Sequence, residues 1–205
     1  MEERSRGIFI VLDGIDGCGK TFHSKILTDE LQTRGFDAVY TAEPSNGTVG
    51  KFIQSILLAD KLLPEIEALL FAADRFEHLK RVILPNLMKG AVVVCDRFLY
   101  SSLAYQGAQG VDTNWIRMIN NFAPKPDIAF YLDVVPSVGL GRIKRKRTVL
   151  ENLPLQEKVR QRYLQLVQTG ELVLVNSSRH VEDVKTDLIK LTIKELERLR
   201  SNKIH

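Results

Sequence analysis

The 205-residue sequence lacks the features that mark secreted, disulfide-bonded or membrane-spanning proteins. Its two cysteines, Cys18 and Cys95, are too few for a disulfide framework. It has no run of about 18 consecutive apolar residues, and its polar start, MEERSRG, has no apolar stretch typical of a signal peptide. We therefore expect no membrane span, no leader and a reducing compartment, most simply the cytoplasm.

The chain also lacks internal repeats, low-complexity tracts and Gly/Ser linkers. Hydrophobic residues make up 44% of it, which is enough for a sizeable core and ordinary for a globular protein. Its net charge of +4 is mild and permits anionic partners without selecting any. We expect one domain over residues 1–205.

Apolar runs alternate with amphipathic stretches along the chain, and this alternation predicts an α/β fold with a five-stranded parallel sheet and helices on both faces. Strands are expected at 7–13, 37–42, 90–96, 127–134 and 171–176. Helical stretches are expected at about 19–34, 48–59, 65–89, 98–121, 136–147, 151–169 and 180–201. Ligands of such sheets bind beyond the carboxyl ends of the strands, so the residues after each strand are the functional candidates.

The first strand candidate is followed by GIDGCGKT (residues 14–21), which fits G-x-x-x-x-G-K-[ST] at every fixed position. Glycines let backbone N–H groups point at phosphate oxygens, and the positive end of the next helix adds to the attraction. Lys20 would neutralise β- and γ-phosphate charge, and the Thr21 hydroxyl would hold Mg²⁺. The predicted nucleotide-binding residues are Gly14, Ile15, Asp16, Gly17, Cys18, Gly19, Lys20 and Thr21.

An adjacent acid and base, Asp96 and Arg97, close the third strand candidate. An acid at this place is typical of an aspartate associated with Mg²⁺ beside the nucleotide, although it could instead cap the next helix. Arg97 favours the first interpretation, because a planar guanidinium can bind two phosphate oxygens at once.

A phosphate loop alone does not separate kinases, GTPases and motor proteins. Over nearly its whole length, however, the sequence resembles the thymidylate kinase family, and the matching stretches agree in order and spacing. They are GIDGCGKT, EP (43–44), LLFAADRFEH (69–78), DRFLYSSLAYQG (96–107), KPDIAFYLDV (125–134) and GLGRIKRKR (139–147). The resemblance implies a three-layer P-loop kinase fold, Mg²⁺-dependent phosphoryl transfer from ATP to dTMP, and a homodimer formed through helices such as the 65–89 stretch.

The resemblance also implies which residues bind the acceptor. Asp16 would lie near the 3′-hydroxyl, Phe71 would stack on thymine, and Arg75, one turn later, would donate to a base carbonyl. Arg97 would bind the acceptor phosphate, and Tyr105 would pack on the deoxyribose and leave little room for a 2′-hydroxyl. Further substrate-binding candidates are Glu43, Ser101 and Ser102.

Plain structural roles are the alternatives to these assignments. Asp16 could stabilise its own loop through an Asx turn. Phe71 could be a core residue and Arg75 a solvated one, while serines are common on any surface.

The basic segment RIKRKR (142–147) lies where the family has a lid over the donor phosphates, here about 142–152. Cys18 occupies the phosphate-loop position at which some members carry a basic residue, so the resemblance implies that lid arginines supply the catalytic charge. We expect this of Arg142 first, and then of Arg145 and Arg147. A solvated face, a nucleic-acid stripe and a localisation signal are alternatives, but no aromatic residues interleave with the cations as single-strand binding would want. We therefore expect no nucleic-acid partner.

Two positions depart from the family pattern. Ala42 precedes EP where many members have arginine, and Gln54 stands where many have an arginine that reaches the acceptor phosphate. Lys51, one turn earlier, could substitute, and Glu151 is a further candidate near Mg²⁺. The departures leave open a different (deoxy)nucleoside monophosphate as acceptor. A P-loop switch with little turnover is the alternative of another class; the sequence has no guanine-reading N-K-x-D motif.

Overall fold

The computed structural model describes residues 7–59, 62–145 and 148–201, with a five-stranded parallel sheet at its centre. The strands run in the order β2-β3-β1-β4-β5, and every neighbouring pair is parallel. They are β1 (Ile8–Asp13), β2 (Ala38–Ala42), β3 (Val92–Asp96), β4 (Ile128–Asp133) and β5 (Val173–Asn176). All five predicted strands are confirmed, each ending within two residues of its expected bounds.

The central strands are apolar at successive positions because helices cover both of their faces. β1, with the sequence IFIVLD, lies between β3 and β4 and is buried from Phe9 to Asp13. β3 is buried along its whole length, whereas the edge strand β5 leaves Val173 and Leu174 largely exposed. Since all strands are parallel, their carboxyl ends meet at one edge of the sheet, where the candidate site lies.

Helices flank the sheet on both faces. The right-handed crossover rule places α1 on one face and the helices between β2 and β5 on the other. Accordingly α1 contacts α9, and α5 contacts α8. The α-helices are α1 (Lys20–Thr33), α2 (Thr48–Ala59), α3 (Pro64–His78), α4 (Leu84–Met88), α5 (Leu99–Ala108), α6 (Thr113–Ile119), α7 (Pro136–Arg142), α8 (Leu153–Gln168) and α9 (Val181–Ser201).

Three predicted helices are interrupted or shorter. The 65–89 stretch contains a π-helical turn, Leu79–Ile83, before Pro85, which has no N–H to continue the α-helical ladder. The 98–121 stretch breaks at Gly110, whose φ is 101°, and restarts after the Asp112 cap. The 136–147 stretch ends at Arg142, because the following like charges disfavour another turn.

Buried apolar side chains from Phe9 in β1 to Leu196 in α9 form one core. None of the described helices is both long and apolar enough to cross a membrane.

Candidate active site

The segment 14–21 forms a tight turn between β1 and α1. Gly17 and Gly19 have φ values of 77° and 93°, a region in which a Cβ is strained. Gly19, the N-cap residue of α1, has no side chain that could cap the first turn, so the backbone N–H groups there can face an anion. Lys20 is buried against this turn, and its Nζ donates to the carbonyl oxygens of Gly14 (2.9 Å) and Ile15 (2.7 Å).

Thr21 and Asp96 meet across the ends of α1 and β3. The Thr21 hydroxyl donates to Asp96 Oδ2 at 2.5 Å. Asp96 Oδ1 is buried without a hydrogen-bond partner among the residues that the structure describes. One free carboxylate oxygen beside a hydroxyl is the donor set that Mg²⁺ bound mainly by phosphates and water requires. The described residues contain no cluster of three or more His, Cys, Asp or Glu that could hold a metal by itself.

A cavity of about 330 Å³ opens beside the phosphate loop. Its volume is within the range of small-molecule sites. Side chains from the phosphate loop, α3, α5 and the segment after α7 meet in its wall. The predicted site residues in that wall are Asp16, Phe71, Arg97, Ser101, Ser102, Tyr105 and Arg145.

Asp16 is the centre of the polar wall. Its carboxylate pairs with Arg97 and accepts hydrogen bonds from the Tyr105 hydroxyl (2.6 Å) and Gln156 Nε2 (2.9 Å). Its backbone N–H donates to Gln156 Oε1 at 3.1 Å. Burial by itself would raise the pKa of Asp16, but the charges of Arg97 and Lys20 and these hydrogen bonds hold it below its usual value. Asp16 is therefore ionised at neutral pH, and the stability from its ion pair is lost only as the pH falls below the ordinary aspartate pKa.

Arg97 adopts a strained backbone to reach Asp16. Its φ of 71° is unusual for a residue with a Cβ, and such strain is concentrated at functional sites. Its Nη1 donates to Ser101 Oγ at 3.2 Å, and its guanidinium lies 5.3 Å from the Tyr105 ring centre. Burial opposes the charge of Arg97, but Asp16 raises its pKa well above the usual value. The same burial and the same carboxylate raise the pKa of Tyr105, so that its hydroxyl remains a donor.

Arg75 and Glu43, both predicted to bind substrate, lie behind the cavity wall. Arg75 is only 1% exposed, and its Nη2 lies 2.8 Å from Glu43 Oε2, in an ion pair without hydrogen-bond alignment. Its Nη1 donates to Asn120 Oδ1 at 2.6 Å, and its Nη2 donates to Ser102 Oγ at 3.3 Å. Arg75 therefore reaches the cavity through Ser102, one of the wall residues.

Two glutamines that sequence reasoning missed belong to the site. Gln106 comes one helical turn after Ser102, a spacing that could have indicated it. Its Nε2 donates to Glu67 Oε2 at 3.1 Å, and because a carboxylate only accepts, the amide oxygen faces elsewhere. Gln106 itself lines the cavity. Gln156 gave no sequence signal, because it belongs to α8, 140 residues after Asp16.

The predicted lid arginines occupy different places. Arg142 lies outside the cavity wall, with Nη1 at 3.4 Å from both the Gly17 and Ser177 carbonyl oxygens. Arg145 lines the cavity and forms a two-pronged pair with Glu151 at 3.0 and 2.5 Å. Arg147 lies outside the described residues.

Gln54 and Lys51, the residues at and near the position where many family members have arginine, have different places in the structure. Gln54 lines the cavity, but its Nε2 donates to the carbonyl oxygens of Pro44 (3.2 Å) and Ser45 (3.3 Å). Its donors therefore hold the loop after β2. Lys51 is exposed and does not line the cavity.

Comparison with known proteins decides the family. The family model for thymidylate kinase matches residues 12–188. The chain belongs to the thymidylate kinase family. The probable thymidylate kinase of Pyrococcus horikoshii is 45% identical over 201 residues, which cover 93% of this chain and 98% of that protein. The probable thymidylate kinase of Methanocaldococcus jannaschii is 43% identical over 184 residues, covering 89% and 94%. The chain is thus a phosphotransferase, as its motifs predicted, and its parallel sheet fits the P-loop kinase fold.

The contacts of Gln156 lead to a first prediction. Gln156→Glu removes a donor to Asp16 and places a second carboxylate beside it, so we expect kcat/KM for the acceptor to fall about tenfold or more at pH 8. Like charges raise one pKa of such a pair, and the protonated form can donate again. The defect should therefore shrink as the pH is lowered to 6.

The control is Gln161→Glu, which makes the same charge change at an exposed position of α8. It should stay within about twofold of the unchanged chain. A defect of Gln156→Glu that is the same size at both pH values would contradict the role of this contact.

Proposed function

We propose that this chain transfers the γ-phosphoryl group of ATP to dTMP, giving dTDP and ADP, in a Mg²⁺-dependent step of dTTP biosynthesis. The observation that carries the proposal is the cavity beside the phosphate loop, in whose wall Arg97 and Tyr105 converge on Asp16. A P-loop switch has no use for such a pocket, and membership of the thymidylate kinase family does not favour that alternative.

The phosphate loop is proposed to bind the donor. The N–H groups of residues 14–21 would surround its β- and γ-phosphates, and Lys20 would exchange the Gly14 and Ile15 carbonyl oxygens for phosphate oxygens. Burial raises the pKa of the Cys18 thiol, which is therefore neutral and adds no charge.

The cavity is proposed to bind the acceptor. Phe71 would stack on the base, Tyr105 would pack on the deoxyribose, and Arg97 would bind the phosphate. Asp16, held by Gln156, would accept from the 3′-hydroxyl. The amide oxygen of Gln106 would accept from a base N–H, which thymine and uracil have at N3 and cytosine lacks.

Charge compensation at the transferring group is assigned to the lid, proposed as residues 142–152 of a single kinase domain. An arginine that reaches that group can accelerate transfer by roughly 10³–10⁵-fold. Arg142 lies at the phosphate loop and Arg145 at the cavity, so the two cations flank the two proposed nucleotide sites. Arg147 stays a prediction.

Mg²⁺ is proposed to bind at Thr21 and Asp96, whose free Oδ1 and neighbouring hydroxyl fit such an ion. When bound, the ion would neutralise charge on the β- and γ-phosphates. Asp96 holds the Thr21 hydroxyl in place from the end of β3.

A second copy of this chain is the proposed protein partner. On α3, Ile66, Leu69 and Phe76 are each more than 40% exposed and lie on one face of the helix. An apolar stripe of this kind is typical of an interface. A cytoplasmic location, which cell fractionation would test, is consistent with two buried free cysteines, Cys18 and Cys95.

The acceptor is tested by a panel of dTMP, dUMP, UMP, dCMP and dGMP at fixed Mg-ATP, with ADP release as the measurement. We expect dTMP to give the highest kcat/KM, and dUMP to be lower by about 10- to 200-fold, since one methyl group contributes no more. UMP should have a lower kcat/KM because its 2′-hydroxyl meets Tyr105. dCMP should have a lower kcat/KM because cytosine lacks the N3–H. Equal slow ADP release with and without every acceptor would instead support a nucleotide switch.

The metal site is tested by Asp96→Asn. The variant loses the ionised oxygen, so the Mg²⁺ concentration at half-maximal rate should rise about 10- to 100-fold. Thr21→Ser, which keeps the hydroxyl, should stay near the unchanged chain. If half-saturation in Mg²⁺ does not move for Asp96→Asn, this carboxylate is no part of the metal site.

The dimer is tested by light scattering after size-exclusion chromatography. Leu69→Glu should convert the protein to a monomer, because it buries an unpaired charge in the proposed interface. Val181→Glu, at a 40% exposed position of α9 outside the 65–89 stretch, should not. A mass of 23.2 kDa for the unchanged chain would rule the dimer out.

A further inference from the structure

The phosphate loop and α7 touch through their backbones, at two glycines. A methyl group at Gly17 would lie 1.9 Å from the carbonyl oxygen of Gly139. A methyl group at Gly139 would lie 2.6 Å from the carbonyl oxygen of Asp16. Neither obstacle is a flexible side chain, so even one methyl group would force the helix and the loop apart.

The close approach matters because Arg142 lies one turn after Gly139, at the last position of the same helix. The Nη1 of Arg142 is 3.4 Å from the Gly17 carbonyl oxygen. α7 has only seven residues, so a displacement at Gly139 is transmitted to Arg142. Gly17 therefore contacts α7 twice, through Gly139 and through Arg142.

A second contact holds the phosphate loop at Cys18. Ser177, the residue after β5, donates its hydroxyl hydrogen bond to the Cys18 carbonyl oxygen, while its own carbonyl oxygen lies 3.4 Å from Arg142 Nη1. Arg142 thus lies between the phosphate loop and the Ser177 backbone, which is itself hydrogen-bonded to that loop. Its position depends on how far α7 stands from that loop.

We propose that Gly139 is a positioning residue of the reaction: its missing side chain lets α7 rest on the phosphate loop and so places Arg142 at the donor phosphates. This inference rests on the proposed function, and it deepens that function on the donor side. Gly139 acts through Arg142 and the loop, and it contacts no reacting atom itself.

The same helix offers a matched control. Gly141 is exposed, and a methyl group there would meet no atom within 4 Å. Both glycines have ordinary helical backbones, so alanine improves helix propensity equally at either position. Any difference between Gly139→Ala and Gly141→Ala therefore reports the contact with the phosphate loop.

The experiment compares the two variants by kcat, by the KM values for ATP and dTMP, and by thermal unfolding. We expect Gly139→Ala to lower kcat/KM for ATP about 10- to 100-fold, the cost of moving a reacting-site group by about 1 Å. The dTMP KM should stay within about twofold, and Gly141→Ala should match the unchanged chain. Equal values for the two alanine variants would overturn the proposal. So would a loss at Gly139→Ala that affects both substrates equally and accompanies a lowered Tm, because that is the result of a packing defect.

A double variant, Gly139→Ala with Arg142→Ala, tests whether the effect passes through Arg142. If it does, the combined loss is smaller than the product of the two single losses. Losses that multiply would overturn the positioning role. Failure of the proposed function looks different, because in that case the unchanged chain shows no dTMP-stimulated ADP release and Arg142→Ala changes nothing.

Discussion

Asp13 is the buried carboxylate on which the arrangement of the site depends. It ends β1, is fully buried, and accepts from the Gly14 and Phe98 N–H groups and from the hydroxyls of Ser101 and Tyr163, the last two at 2.6 Å. A buried carboxylate is tolerated only with such donors. The four donors belong to the phosphate loop, the turn after β3, α5 and α8, so one side chain fixes the relative positions of these elements.

Three cations that are proposed to bind phosphates each contact a protein oxygen. Lys20 contacts loop carbonyls, Arg97 contacts Asp16, and Arg145 contacts Glu151. A buried cation such as Lys20 would be costly without a partner, whereas one that exchanges a protein oxygen for a phosphate oxygen stays compensated throughout. The protein oxygens would therefore keep the cations in place with little loss of binding energy, since in the proposed complex phosphate replaces a contact of the same kind.

The parts of the fold and of the site that a short segment of the chain determines could be predicted from the sequence. The strands were predictable from continuous apolar runs, and the phosphate loop from a pattern of eight residues. The burial of Arg75 was not predictable, because its partners Glu43 and Asn120 come from elements far apart in sequence. Gln156 was missed for the same reason. α7 ends at Arg142, five residues before the predicted end of this helix. Arg142 and Arg145 therefore lie apart, whereas one continuous helix would have kept them close together.

The separation of Arg145 from Arg142 explains how the chain can function with the neutral residue Gln54, because it leaves Arg145 at the cavity. Gln54 donates to backbone carbonyls, so Arg97 and Arg145 are the cations among the described residues that line the cavity. Arg97 is fixed by Asp16, and Arg145 is fixed by Glu151, beyond the end of α7. In the proposed complex, an acceptor phosphate would therefore meet two cations that are each held by a carboxylate. Because Gly139 determines how closely α7 lies on the phosphate loop, that backbone contact acts on Arg142 and the donor side, while the acceptor side keeps its own ion pairs.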